Sequence, residues 1–200
     1  MVGARMKVGI AGLSIAGAIV ATASVPAGAS NGATGAGSTS RHSHHGYVNP
    51  FKPRRWYAGR IDMGVDYVPH RRHRVVAIGD AKILGSTRHS GWPGGSFIWY
   101  KLLNGDHAGA VVYVAEQLRR LAHKGTRVEA GQRIAVALPR STGLETGWAN
   151  RRGSPRAAPC YSEGMKTHSG REMARFLRHL GAKVGDRPGR VPDEPRGKRC

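Results

Sequence analysis

SFIWYKLLNGDHAGAVVYVA, residues 96–115, carries two apolar runs rich in aromatic and β-branched residues. Ser96–Leu103 ends at Asn104-Gly105, and Ala110–Ala115 follows after a short glycine-containing loop. Runs of this length and composition fit a pleated, half-buried surface, and Asn-Gly tolerates the positive φ of a tight reversal. The stretch therefore reads as a β-hairpin with its turn at Asn104–Gly109. Upstream, Arg74–Ile78 (RVVAI) is another β-branched run, closed by Gly79-Asp80. Downstream, Arg127–Ala130 and Arg133–Leu138 flank Gly131 and read as a second tight hairpin. Short strands at regular spacing with glycine turns predict a mostly β domain, an antiparallel sandwich or barrel-like sheet.

Past Asn150 the pattern changes. Residues 151–168 are a Pro, Arg and Gly loop. Ser169-Gly170-Arg171-Glu172 has the form of a capping box, and Met173, Phe176, Leu177 and Leu180 follow at helical spacing before Gly181. One short amphipathic helix thus closes a domain spanning residues 47–182. Residues 183–200 return to Pro, Gly and charge, as a disordered basic tail.

The other end reads as an export signal. Arg5 and Lys7 precede an apolar stretch over residues 8–25, and Ala27-Gly28-Ala29 offers a small-x-small cleavage site. Residues 1–29 are therefore expected to be a signal peptide, and the mature chain to be secreted and extracytoplasmic, with no transmembrane span after cleavage. Residues 30–46 form a Gly/Ser/His-rich linker. Its His42, His44 and His45 are read as solvated, because nothing there preorganises a metal site.

With 32 Lys and Arg against 12 Asp and Glu, the chain carries +20, and losing Arg5 and Lys7 lowers this to +18. Such a domain associates with polyanions. The cations are spread along the chain rather than gathered on one helix, which speaks against a sequence-specific nucleic-acid reader. Cys160 and Cys200 are the two cysteines, and outside the cytoplasm a disulfide between them is permitted.

Three blocks in order carry a family resemblance: Asp62–Asp66 (DMGVD), Val75–Ile83 (VVAIGDAKI) and Gly125–Ala135 (GTRVEAGQRIA). The last has the G-x-x-V-x-A-G-Q-x-I-A form of the duplicated hybrid motif. The first resembles the H-x-G-x-D box of the lysostaphin/LytM-type zinc murein endopeptidases. That resemblance implies a cell-wall-directed scaffold, with peptidoglycan or anionic wall polymers as partners and zinc as the family's cofactor. It also implies where the site lies. The first-box histidine falls on Asp62 and its aspartate on Asp66; the histidine of the family's Y-x-H-L strand falls on Glu116; the late H-x-H box falls on Gly143-Leu144-Glu145. The matched histidines are thus replaced, mostly by carboxylates. Asp62, Asp66 and Glu145 become the candidate metal ligands, and Glu116 and Glu145 the candidate catalytic groups.

Catalytic zinc favours imidazole with at most one carboxylate, whereas several carboxylates suit a harder divalent metal. Carboxylates placed together raise one another's pKa values and trap a proton, a cation or a substrate amine; alternatively each pairs with one of the many arginines. Trp92, Tyr100 and Trp148, near these blocks, are candidates to stack on sugar rings or, equally, core residues, with Trp92 in its Gly-Trp-Pro-Gly-Gly loop the best candidate for an exposed one. Three readings remain: a wall-directed domain without zinc-peptidase chemistry, a wall hydrolase using the carboxylates as hard-metal ligands or as an acid/base pair, and a basic polyanion-binding protein.

Overall fold

The computed structural model describes residues 46–140 and 142–185, and not the side chain of Cys160. The expected signal peptide, most of the linker with His42, His44 and His45, most of the basic tail and the Cys160–Cys200 pairing lie outside the described residues.

The described chain is mostly β, as its run pattern predicts. Its strands are β1 (Trp56–Ile61), β2 (Val65–Pro69), β3 (His73–Val76), β4 (Ala81–Thr87), β5 (Ser96–Leu102), β6 (Val111–Glu116), β7 (Leu118–Arg119), β8 (Arg127–Val128), β9 (Arg133–Ala137) and β10 (Leu144–Ala149). They form a seven-stranded sheet in the order β1-β2-β10-β6-β5-β4-β8 and a three-stranded sheet in the order β3-β9-β7. Every pairing between them is antiparallel. The hairpin read from residues 96–115 is β5 and β6, in register from Ser96 opposite Glu116 to Lys101 opposite Val111.

The second expected hairpin does not form. β8 pairs with β4 in the large sheet, whereas β9 joins β3 and β7 in the small one. Gly131 does turn the chain, at φ +81°. Its amide binds the carbonyl of Ala77, and the Ala77 amide binds that of Gln132, so the turn is tied to the end of β3. Asp80 Oδ1 accepts from the Ala130 amide and holds it there. The two runs separate because each finds a better-covered partner in a different sheet.

β6 and β10, at the centre of the large sheet, are buried along their whole length. β6 (VVYVAE) reads as a nearly continuous apolar run because both faces are covered, whereas β10 (LETGWA) buries Glu145 and Thr146 as well. One face carries Ile98, Tyr100, Val112, Val114, Leu144 and Trp148 into the main core. Helix α1 (His168–His179) covers part of that core with Met173, Ala174, Phe176 and Leu177. The other face carries Phe97, Tyr113, Ala115 and Ala149, with Trp92 and Trp99 packed against them.

The helix starts earlier than its capping box suggests. Thr167, not Ser169, is the N-cap, with extended backbone and a hydroxyl accepting from the Gly170 amide at 3.0 Å. The same hydroxyl donates to the Asp62 carbonyl at 2.8 Å, and the Thr167 amide reaches that carbonyl at 3.1 Å. A partner 105 residues away thus fixes the cap. Glu172 pairs with His168 at 3.0 Å instead of reaching back to a cap amide. The helix ends as expected, with Gly181 at φ +82°. No described helix is long and apolar enough to cross a membrane.

Candidate functional site

Strand alternation aims the acids. On β10, Leu144, Thr146 and Trp148 share one face, and Glu145, Gly147 and Ala149 the other. Glu145 stands opposite Asp66 of β2 on one side and Ala115 of β6 on the other. Asp62 lies where the chain reverses between β1 and β2, its amide bound to the Gly64 carbonyl at 3.0 Å. Gly64 has to be glycine: a Cβ there would sit 2.3 Å from the Thr146 carbonyl oxygen and 2.9 Å from Glu145 Oε1. That close approach brings the turn onto β10. Asp62, Asp66 and Glu145 each present a ligand-type oxygen, all within 4.8 Å of one another. Glu116, at the end of β6, lies near enough for its charge to act on Asp66, and Asp62 acts on Glu116 in turn.

A cation from the chain itself is already among them. Arg60, two residues before Asp62, places Nε 2.9 Å from Asp62 Oδ2 and 3.2 Å from Asp66 Oδ2. Its terminal nitrogen binds Glu163. Burial works against the charge on Arg60, but the Glu163 hydrogen bond and the Asp62 and Asp66 carboxylates hold its pKa above the usual range. Tyr161 closes the group, donating at 3.1 Å toward Asp62 Oδ2 and Glu163 Oε2. On the far side the buried Tyr113 hydroxyl donates to Glu145 Oε1.

One arginine cannot neutralise this many acids, and protons take up the difference. Burial, then the charges of Asp62 and Asp66, raise Glu145 well above the carboxylate range. Burial and the Asp62 charge outweigh the opposing Arg60 and push Asp66 up to about 8. Glu116 is pushed up to about 7, again by burial first, against a Thr142 side-chain hydrogen bond that favours its charge. Asp62 Oδ1 and Glu116 Oε2 are buried with no donor against them among the described residues.

Zinc does not fit this donor set. Among the described residues no imidazole or thiolate belongs to it, and metal ligation needs deprotonated donors, a state that burial and mutual charge disfavour for Glu145 and Asp66. A zinc ion would also have to displace the guanidinium from Asp62 and Asp66 and the Tyr113 hydroxyl from Glu145. The arrangement is suited to hold a proton or an organic cation between carboxyl groups.

The aromatic candidates divide. Trp92 is half-buried on the same face as Glu145, its ring 6.2 Å from Phe97 and 5.8 Å from Tyr113. Tyr100 is a core residue, 1% exposed, with its hydroxyl accepting from the Ile78 amide, so the expectation that it meets a sugar is corrected. Trp148 also fails as a partner of the acids. It points to the opposite face of β10, packs against His107 and Phe176, and has the Arg156 guanidinium 5.6 Å above its ring. Period-two alternation separates Glu145 from Trp148, three residues on. Sequence reading missed Arg60, Tyr161 and Glu163. Arg60 carried a signal, because residues two apart on a strand share a face and Arg60 precedes Asp62 by two. Tyr161 and Glu163 come from the loop at 151–168, which has no periodicity to read.

No family model matches the chain, and no curated protein does either. Among solved structures it is similar to lysostaphin in a solution structure, at 20% identity and a TM-score of 0.47, over 76% of this chain and 61% of that one. It is also similar to the antimicrobial peptidase lysostaphin from Staphylococcus simulans, at 19% identity and a TM-score of 0.41, over 78% and 62% of the two chains. The chain thus spans about three fifths of the length of those proteins.

Proposed function

We propose that the protein is an exported, peptidoglycan-directed domain built on a zinc-endopeptidase type of scaffold, in which an internal arginine–carboxylate network stands in place of the metal. The observation that carries the reading is Arg60 lodged against Asp62 and Asp66, at the positions where the quoted sequence blocks resemble a metal box. The scaffold resemblance supports murein as the partner, through the order of the three blocks. The protonated carboxyls support binding without hydrolysis of the zinc type. Asp66, which keeps part of its side chain exposed, then serves as the acceptor for an amine or hydroxyl of the wall peptide, backed by buried Asp62 and Glu145, and half-buried Trp92 offers a stacking surface at the same face.

The purified secreted chain, measured by elemental analysis and incubated with purified cell walls, tests this. The expected result is far less than one zinc per chain, with retention on walls and no release of soluble fragments. One tightly held zinc per chain, or steady release of cross-link peptides, overturns it.

A further inference from the structure

Next to the acid site, the small sheet and the rim of the large one border an open cavity of about 600 Å³ lined by five exposed arginines. Arg72 enters from the start of β3, Arg88 from the end of β4, Arg119 from β7, Arg120 from the residue after it and Arg140 from the segment after β9. No acidic and no aromatic side chain lines the cavity among the described residues. Among the described residues none of the five arginines forms an ion pair there, although Arg60 shows that this chain pairs guanidinium with carboxylate where it has both. Like charges gathered on one concave surface repel one another and focus an attractive field for anions.

The backbone around the cavity is fixed. The Leu138 amide binds the Gln117 carbonyl at 2.9 Å, the Gln117 amide binds that of Gly143 at 3.1 Å, and Ser96 Oγ donates to the Leu118 carbonyl at 2.9 Å. Arg120 is held at φ +51°, in the left-handed region that a side chain of its size rarely occupies. Five arginines lining one concavity on a braced frame are suited to oxyanions, which guanidinium binds by paired N–H donors.

We propose that this cavity binds the phosphate groups of a phosphodiester-linked polyol polymer. The volume and the number of guanidiniums fit more than one anionic group, which favours a polymer over a single phosphate. The absence of an aromatic lining disfavours single-stranded nucleic acid, whose binding sites rely on stacking of the bases. The cavity adjoins the end of β6, where Gln117 follows Glu116, so a wall polymer held in it would run past the carboxylate site. The assignment deepens the wall-directed reading and rests on it for the choice of a polyol over other phosphate chains.

The test is a titration of the full secreted chain with a synthetic oligomer of glycerol phosphate at several salt concentrations. The variant R119Q/R140Q is compared with R151Q/R152Q, which removes the same charge from an exposed loop, and R72Q/R88Q repeats the cavity test should the first variant fold poorly. The cavity variants are expected to bind at least tenfold more weakly, with a log affinity against log salt slope shallower by about 0.7 for each arginine removed. The loop variant should stay within twofold. Equal weakening by loop and cavity variants overturns the site in favour of diffuse charge. Equal or tighter binding of an oligothymidylate, lost in the cavity variants, overturns the polyol assignment. Retention on murein stripped of phosphate polymers reports separately on the wall reading: its loss sinks that reading and leaves the glycerol phosphate result to judge the arginine cavity.

Discussion

Glu116 combines three features that seldom coincide in an acid. It is buried, one carboxyl oxygen has no donor, and its backbone sits at φ +83°. Burial and the Asp62 charge push its pKa up to about 7, and Asp66, under similar causes, reaches about 8. A carboxyl whose pKa is higher in the folded than in the unfolded chain holds more protons when folded between the two values. Its stabilising contribution is complete below the unfolded value, near 4.3, and is lost as pH rises through the folded one. Melting temperature is therefore expected to fall between about pH 5 and pH 9. Glu163 runs the other way, because its hydrogen bond with Arg60 lowers its pKa, but its contribution is lost only as the solution turns acidic. Glu116→Gln keeps a neutral hydrogen-bonding group and should flatten part of the fall. Thermal melts across that range check both statements; a melting temperature independent of pH, or equal slopes in wild type and variant, contradicts them. The sequence put Glu116 among the candidates through its match to a strand motif. The rarer feature, the left-handed backbone, left no local sign, because only the turn into β7 demands it.

Helix α1 belongs to the site as much as to the core. Its first turn presses on the Asp62 backbone: a Cβ on Gly170 would lie 2.1 Å from the Asp62 carbonyl oxygen. Thr167 binds that same oxygen through both its amide and its hydroxyl. Gly170→Ala must therefore push the helix start and the Asp62 turn apart. The expected cost is about 1–3 kcal/mol, the usual range for overpacking a filled interior. In an exposed helix the same exchange would stabilise by up to about 1 kcal/mol, so a lower denaturant midpoint is expected and a higher one contradicts the prediction. Thr167→Ala, which removes a cap, should cost about 1 kcal/mol. What the sequence could and could not say about this element follows from range. Met173, Phe176 and Leu177 announce a buried stripe through spacing alone, and Gly181 its end. The cap was misplaced by two residues because Ser169 has the better local pattern, whereas Thr167 has the distant partner. The misread hairpin at Gly131 has the same origin: β8 and β9 look like partners in sequence, and their choice of β4 and of β3 with β7 is made by strands far along the chain.

Among the described residues the two charge signs are in part sorted into separate places. Acids are few, 12 in 200 residues, yet Asp62, Asp66, Glu116, Glu145 and Glu163 gather around one arginine. Five other arginines line a cavity with no acid. The total of +20 was legible from composition, and Asp62, Asp66, Glu116 and Glu145 from the motif match, whereas Glu163 was not. Nor was the arginine cavity, because its five members come from four separate segments, brought together only by the fold. Salt separates the two consequences of this sorting. Net charge this high strains the compact state by self-repulsion, and screening relieves it: the Debye length falls from about 30 Å at 0.01 M to about 3 Å at 1 M. Thermal stability is therefore expected to rise as salt goes from about 0.01 M to about 0.5 M. The Arg60 contacts oppose this weakly, since buried pairs are screened less than exposed ones. Over the same range, binding to a phosphate polymer should fall steeply, because each cation–phosphate contact releases a counterion. Melts and polymer titrations on one salt series check the opposed signs. A stability that falls with salt would mean that attractive surface pairs outweigh repulsion. Polymer binding unchanged by salt would mean that contacts other than charge hold the polymer, and neither result is compatible with unpaired arginines dominating this surface.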